Sequence, residues 1–129
     1  MPATSVRGDG TLEVSACSSL VEGVGTAVEK ALTEEGVLGV IAEDATLEAR
    51  RGVLPNDPRV VLVPARLAKG LEFDHVVLVE PAEIVESPSA GHRERGLRHL
   101  YVAITRTVSH LTVVHRGPLP PELGTLGGS

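Results

Sequence analysis

Four short runs rich in Val, Leu and Ile recur along the chain, with room for a helix between most of them. They cover Val37–Ala42, Arg59–Pro64, His75–Glu80 and Leu111–His115. An apolar run of this length is typical of a strand that is buried on both faces, as in a parallel sheet covered by helices. Thr11–Ala16 adds a further strand, because its apolar and polar residues alternate. The pattern favours an α/β sheet that is at least partly parallel.

Helical spacing fills the intervals in the first half of the chain. Ser18 or Ser19 is a suitable N-cap for a helix whose apolar residues repeat at helical spacing as far as Leu32. Gly36 is expected to end that helix as a C′ glycine. A short helix is predicted over Asp44–Arg51.

The second half of the chain is predicted to contain one more helix. Its signature is a set of residues at i, i+3, i+4 and i+7 that would share one buried face: Leu97, Leu100, Tyr101 and Ile104. Two stretches before it are expected to be irregular, namely Ala65–Asp74 and the polar connection from Pro81 to Gly91. The predicted order of elements is strand, helix, strand, short helix, strand, strand, helix, strand.

Composition narrows the classes of protein that fit. With 129 residues and 42% hydrophobic content, the chain can bury a single core. We expect a disordered N-terminal end at 1–9, one domain at 10–117 and a flexible C-terminal tail at 118–129. The formal net charge is −5, and Phe73 and Tyr101 are the only aromatic side chains. Nucleic-acid binders usually present a basic face or stacking aromatics, so the chain alone is expected to bind nucleic acid poorly.

Cysteine content and hydropathy bear on the compartment. Cys17 is the only cysteine, so no disulfide can form within the chain, and a small buried hydrophobe is its expected role. No apolar run approaches the length of about 18 residues that a membrane span requires. We therefore expect a cytoplasmic protein with no membrane contact.

Several common site motifs are absent from the sequence. No Gly-Lys pair occurs, so the chain has no phosphate-binding loop of the Walker A type. The dinucleotide fingerprint G-x-G-x-x-G is broken at Glu13 and again at Val28. One Cys and five scattered His do not have the spacing of metal ligands. We therefore expect no metal site and no self-contained nucleotide site.

Two segments carry the functional assignment. The first, AKGLEFD, covers Ala68–Asp74, and the second, LYVAITR, covers Leu100–Arg106; each precedes a predicted strand. They resemble motifs V and VI of UvrD/Rep-type superfamily 1 helicases, in the same order and with the same flanks. In that family both motifs belong to the second, C-terminal RecA-like domain. The resemblance is close over Arg59–His115 and covers the first half only in outline.

The resemblance implies a fold and a shared ATP site. The fold would be RecA-like, a mostly parallel sheet flanked by helices, without a Walker A loop of its own. ATP with Mg²⁺ would lie between this domain and a first RecA-like domain of the same parent chain, which would hold most of the metal. The chain would then be the C-terminal motor domain fragment of an ATP-dependent DNA helicase or translocase, an ATP hydrolase that is inactive as the isolated chain.

Arg106 is the candidate catalytic residue. The family places the equivalent Arg across the domain cleft as an arginine finger on the γ-phosphate, where such groups accelerate phosphoryl transfer. The alternative is a cation at a helix end, favoured there by the helix dipole. Thr105 is expected to cap or brace the loop that carries Arg106.

Gly70, Glu72 and Tyr101 are the other candidates for nucleotide binding. Gly70 allows the backbone to turn sharply or to approach a ligand closely. Glu72 can accept a hydrogen bond from a ribose hydroxyl, which is the role that the family gives it; the alternative is a loop carboxylate paired with a nearby Arg. Tyr101 is expected to pack near the cleft with its hydroxyl partnered, and Phe73 to pack in the core.

Arg66 and Lys69 are the candidates for nucleic-acid contact. Most members of the family carry, two positions before the Ala-Lys-Gly run, a His that contacts DNA, and here Arg66 and Leu67 occupy that place. Arg66 can still bind a phosphate, whereas Lys69 either contacts a phosphate or is solvated. This departure resembles the HelD (helicase IV-like) branch, in which some members act on RNA polymerase. The alternatives are thus a HelD-like RNA polymerase remodelling factor, a non-enzymatic RecA-like docking module or a small stand-alone α/β enzyme.

Overall fold

The computed structural model describes residues 5–7, 10–50, 52, 54–55, 57–121 and 123. Within these residues the strands are β1 (Ser5–Arg7), β2 (Gly10–Ala16), β3 (Leu38–Ala42), β4 (Val60–Pro64), β5 (Phe73–Val79) and β6 (Thr107–His115). The helices are α1 (Leu20–Leu32), α2 (Asp44–Arg50), α3 (Pro81–Val85) and α4 (Arg93–Ile104), and two 3₁₀ turns lie at Ala65–Leu67 and Pro88–Ala90. None of the helices in the described part of the chain has the length and apolar character to cross a membrane.

The strands form one sheet in the order β1-β2-β6-β5-β3-β4. Strands β2, β6, β5, β3 and β4 run parallel to their neighbours, and only β1 at one edge is antiparallel. In the centre of the sheet Val40 of β3 pairs with Leu62 of β4 on one side and with Val77 of β5 on the other. The predicted α/β class and mostly parallel sheet are confirmed.

Successive residues of the central strands point into two separate cores. On one face Val77 and Val79 of β5 pack with residues of α1 and α2, including Val24 and Leu47. On the other face Val76 and Leu78 belong to the core that includes residues of α3 and α4. Because both faces are covered, β5 is buried along nearly its whole length, and its second half, Val76–Val79, is a continuous apolar run.

The first helix begins where the sequence predicts and ends earlier. Ser19 is the N-cap, and its side chain accepts a hydrogen bond from the Glu22 N–H at 3.4 Å. The prediction of Gly36 as the C′ residue is wrong, because the C-cap is already Thr33. Gly36 instead turns the chain into β3 with a φ of +117°, where an added Cβ would lie 2.7 Å from the Asp74 side chain.

Two predictions for the second half of the chain also need correction. The polar connection after β5 contains the helix α3, which starts with Pro81 in its first turn and is too short to show a period in the sequence. Tyr101 does not share the buried face of α4, since it is 71% exposed. The buried residues of that helix are Gly96, Leu100 and Ala103, so the face that meets the sheet is rotated away from Tyr101.

The structure describes parts of both predicted ends, whereas residues 1–4, 8–9, 122 and 124–129 lie outside the described residues. Within 1–9, the expected disordered end, Ser5–Arg7 forms β1 and pairs with β2. Within 118–129, the expected tail, Leu119 packs against the core, and Leu123 is 6% exposed. Apolar side chains at 119 and 123 can reach the core because the chain passes back over it after β6.

Candidate functional site

The two motifs meet at the amino ends of the central strands. Phe73 at the start of β5 is aligned with Thr107 at the start of β6. The backbone N–H of Phe73 donates to the Arg106 carbonyl oxygen at 3.0 Å. The parallel pairing of β5 and β6 therefore brings the turn before one strand against the helix end before the other. The two segments are about 30 residues apart in the sequence, and the pairing of β5 with β6 brings them into contact.

The Arg106 side chain is held by the last turn of α4 and by the neighbouring turn. Its Nε donates to the Val102 carbonyl oxygen at 3.1 Å, its Nη2 to Thr105 Oγ1 at 3.1 Å and its Nη1 to the Leu71 carbonyl oxygen at 3.4 Å. Thr105 is the C-cap of α4, and its hydroxyl donates to Val102 at 2.8 Å. The expected bracing role of Thr105 is confirmed.

A guanidinium carries five N–H donors, and these contacts account for three of them. The remaining donors stay available to an anion while the side chain is already oriented. The position of Arg106 agrees with the helix-end interpretation, and its role as an arginine finger stays a prediction. Arg106 lies at a helix end next to carbonyl oxygens, as the dipole argument requires, and it keeps donors for a ligand.

The turn before β5 is buried at its end, at Phe73, and exposed at its middle, at Gly70. Phe73 is buried and lies against Gly39 of β3, where an added Cβ would come within 2.6 Å of the ring. Gly70 has a φ of +86°, a left-handed conformation, and nothing lies near the position of its absent Cβ. The expected sharp turn at Gly70 is present, and the expected core packing of Phe73 is confirmed.

Lys69 and Glu72 project from this turn into solvent. Neither side chain makes a hydrogen bond or an ion pair within the described part of the chain. The alternative in which Glu72 pairs with a nearby Arg is therefore not what the structure shows, because the Arg106 guanidinium contacts the Leu71 carbonyl oxygen instead. Glu72 is left as an exposed carboxylate beside an oriented guanidinium.

Several large apolar side chains on the segments that carry the two motifs are exposed. Leu67 and Leu71 flank the turn and are 54% and 39% exposed. Tyr101 on α4 is 71% exposed, and Val108 at the start of β6 is 55% exposed.

Arg66 lies at the carboxyl ends of the parallel strands, whereas Arg106 lies at their amino ends. It follows β4, and its partner Asp44 follows the neighbouring parallel strand β3. The Arg66 Nε donates to both Asp44 carboxylate oxygens at 3.1 Å, and Nη2 donates to Oδ2 at 2.7 Å. The hydrogen bond from Arg66 holds the pKa of Asp44 below its usual range. The structure thus separates Arg66 from the residues predicted to face the nucleotide.

The ion pair between Asp44 and Arg66 is a contact that the sequence analysis did not predict. The signal was available, because the carboxyl ends of neighbouring parallel strands meet at one edge, and Asp44 and Arg66 each lie two residues beyond such an end. What the sequence lacked was the neighbour relation of β3 and β4, which only the sheet order supplies.

The residues at the amino edge fit part of a nucleotide and not all of it. A guanidinium with spare donors suits a terminal phosphate, and an exposed carboxylate suits a sugar hydroxyl. The described residues contain no group of three His, Cys, Asp or Glu side chains that could hold a metal ion.

The fold is similar to that of a solved structure described as the C-terminal domain of a possible DNA helicase from Lactobacillus plantarum WCFS1. The two share 23% identity with a TM-score of 0.64, over 90% of this chain and 79% of that one. The chain matches no protein-family model and no curated protein. At this level of identity the likeness establishes the fold, an α/β sheet flanked by helices.

Proposed function

We propose that this chain is the second RecA-like motor domain of an ATP-dependent DNA helicase or translocase. The observation that carries the proposal is the contact between the two motifs at the amino ends of the strands. There the Arg106 guanidinium donates to the Leu71 carbonyl oxygen, and the Phe73 backbone N–H donates to the Arg106 carbonyl oxygen. Two motif-like segments that had arisen by chance would not be expected to lie in contact with each other, with unused guanidinium donors at that contact. The fold shared with the helicase C-terminal domain supports the same conclusion.

In this proposal Arg106 binds the terminal phosphate of ATP and Glu72 binds the sugar. Arg106 would stabilise the charge that develops on the phosphoryl group during transfer. Because three of its donors are already engaged with Val102, Thr105 and Leu71, little reorientation is needed when the phosphate arrives. Mg²⁺ would be held mainly by the first RecA-like domain, since this chain lacks the Gly-Lys loop.

The exposed residues around the site have a place in the same proposal. Leu67, Leu71, Tyr101 and Val108 would be covered when the first RecA-like domain closes over the nucleotide. Closure would bring Arg106 to the phosphate and exclude water from it. Opening after hydrolysis would expose the surface again, so the exposed state seen for the single domain is one end of the cycle.

Phosphate release from ATP tests the half-site directly. The purified chain of 129 residues should release phosphate no faster than a blank, because the loop that holds the β- and γ-phosphates is absent. A longer protein that contains this chain and a first RecA-like domain should hydrolyse ATP, and Arg106→Ala should remove that activity. Turnover by the short chain that is lost in Arg106→Ala would overturn the half-site proposal.

A second candidate function comes from the sequence departure at Arg66 and Leu67. Since Asp44 already engages the residue at the family's DNA-contacting position, a HelD-like RNA polymerase remodelling factor is the alternative to a helicase that grips DNA with this domain. A non-enzymatic docking module is separated from both by the ATPase assay on the longer protein. No hydrolysis by that protein, with a folded second domain, would support the docking module.

A further inference from the structure

Arg66 lies among other cationic side chains. Burial lowers the pKa of His99, and the guanidinium groups of Arg95, Arg66 and Arg98 lower it further. The side chains of Asp44, Arg66 and His99 also line one small cleft. The carboxylates of Glu43 and Asp44 line the same cleft, so cationic and anionic groups lie together there.

The Asp44 carboxylate binds the side of the Arg66 guanidinium that a phosphate would bind. The two donors involved, Nε and Nη2, form the planar fork that binds carboxylates and phosphates alike. Asp44 Oδ2 receives both of these donors, and Oδ1 receives a second bond from Nε. A phosphate cannot make the same contacts until the Asp44 carboxylate moves away.

The neighbouring carboxylate Glu43 is engaged elsewhere. Its Oε1 accepts from the Ala45 N–H at 2.9 Å and its Oε2 accepts from the Ser87 hydroxyl at 3.1 Å. The position of the Asp44 carboxylate therefore decides whether the Arg66 guanidinium is ion-paired or open to another anion. The ion pair is also open to water, since the two side chains are 41% and 37% exposed. Exposed ion pairs contribute little stability, so a competing anion can displace this one.

We propose that Asp44 occupies the place of a nucleic-acid phosphate on Arg66 and so suppresses the binding of single-stranded DNA by this domain. Asp44 then acts as a built-in competitor, and removing its charge turns Arg66 into a DNA contact. The choice of single-stranded DNA as the ligand rests on the proposed function. The competition between two anions for one guanidinium rests on the geometry alone.

Oligonucleotide binding to the chain of 129 residues tests this inference without ATP. A fluorescent oligo-dT would be titrated with the wild-type chain and with Asp44→Asn at about 50 mM salt and at higher salt. We expect Asp44→Asn to tighten Kd about fivefold at low salt, from the freed ion pair and the lost repulsion. The slope of log K against log salt should steepen by about 0.7, the change for one added phosphate contact on a single strand.

Asp57→Asn is the matched control for the change in net charge. Asp57 is also paired with an Arg, at 3.1 Å to Arg59, and it precedes β4 at the opposite edge of the sheet. This variant should leave Kd within about twofold of the wild type, because its charge is far from Arg66. The double variant Asp44→Asn/Arg66→Gln should return to the wild-type affinity, since the contact that Asp44→Asn frees is gone.

The His99 imidazole gives a second readout at the proposed contact. A phosphate bound on Arg66 would offset the surrounding guanidinium charges, so DNA should raise the pKa of His99 in Asp44→Asn as followed by NMR. Equal tightening by Asp44→Asn and Asp57→Asn, or tightening that persists without Arg66, would overturn the inference. These results do not depend on ATP hydrolysis, so the inference and the proposed motor function can fail separately.

Discussion

A Cβ added to Gly96 of α4 would lie 1.9 Å from the carbonyl oxygen of Val85 in α3. The two helices thus meet backbone to backbone, with no room for even a methyl group. This contact sets how α4 lies on the sheet, and α4 ends just before Arg106. Helix packing at one end of α4 therefore helps to fix the candidate catalytic residue at the other.

Gly96→Ala should lower the free energy of unfolding by about 1–3 kcal/mol, because the added methyl forces the two helix backbones apart. Urea unfolding followed by circular dichroism measures the change. Gly25→Ala in α1 is the matched control, since nothing lies within 4 Å of its added Cβ. It should stabilise the chain by about 0.5–1 kcal/mol, the usual gain from replacing a helical Gly. Equal effects of the two substitutions would contradict the close packing of α3 and α4.

Arg106→Ala in the longer protein should lower kcat for ATP hydrolysis by about 10²-fold or more and leave ATP affinity within about tenfold. The reason is that the guanidinium acts mainly on charge that develops in the transition state. Steady-state kinetics with a nucleotide-binding titration separate the two quantities. Arg116→Ala removes the same charge from an exposed side chain beyond the far end of β6 and should change neither. Unchanged turnover in a folded Arg106→Ala protein would leave Arg106 with a structural role only.

The Asp57–Arg59 pair should make stability depend on pH in acid. The side-chain hydrogen bond from Arg59 holds the pKa of Asp57 below its usual range. Arg59 also donates to the Leu32 and Glu34 carbonyl oxygens at the end of α1. A carboxyl whose pKa is lowered on folding stabilises the chain at pH above its unfolded value, and the effect is lost as pH falls through the folded value.

Urea unfolding midpoints of the wild type and Asp57→Asn, compared between about pH 7 and pH 2, test this assignment. The wild type should have the higher midpoint near neutral pH, and the difference should shrink below about pH 4 as Asp57 takes up a proton. A difference that stays constant down to pH 2 would show that the charge of Asp57 is not what stabilises the junction between α1 and β4.

DNA should stimulate the ATPase of the longer protein only weakly. Arg66 stands where UvrD/Rep-type helicases, which the sequence resembles, carry a DNA-contacting His, and Asp44 engages it. Titration with single-stranded DNA at two salt concentrations, beside retention of core RNA polymerase on the immobilised protein, measures the preference. Strong and salt-sensitive stimulation by DNA with no polymerase retained would reject the HelD-like alternative and favour an ordinary DNA helicase.

Local patterns in the sequence determined most of the secondary structure. The apolar runs predicted β3 to β6, because a strand covered on both faces needs apolar side chains at every position. Ser19 and the helical spacing after it predicted α1, since capping and periodicity are local properties. The two motif segments identified Arg106 and the turn at Gly70 before any contact between them was known. The helix α3 could not be predicted in this way, because a helix of five residues has no measurable period. The exposure of Tyr101 was missed because the buried face of α4 is centred on Gly96, Leu100 and Ala103.

Tertiary structure alone decided which charges meet. The order β5-β3-β4 puts the ends of β3 and β4 side by side, and so Asp44 against Arg66. The pairing of β5 with β6 places Arg106 on Leu71 instead of on Glu72. Residue spacing along the chain specifies neither of these two contacts. Both follow from the strand order, which depends on how all the apolar faces are buried together. The sequence thus determined the elements and the candidate residues, and the packing of the sheet decided which residues are paired and which remain open to a ligand.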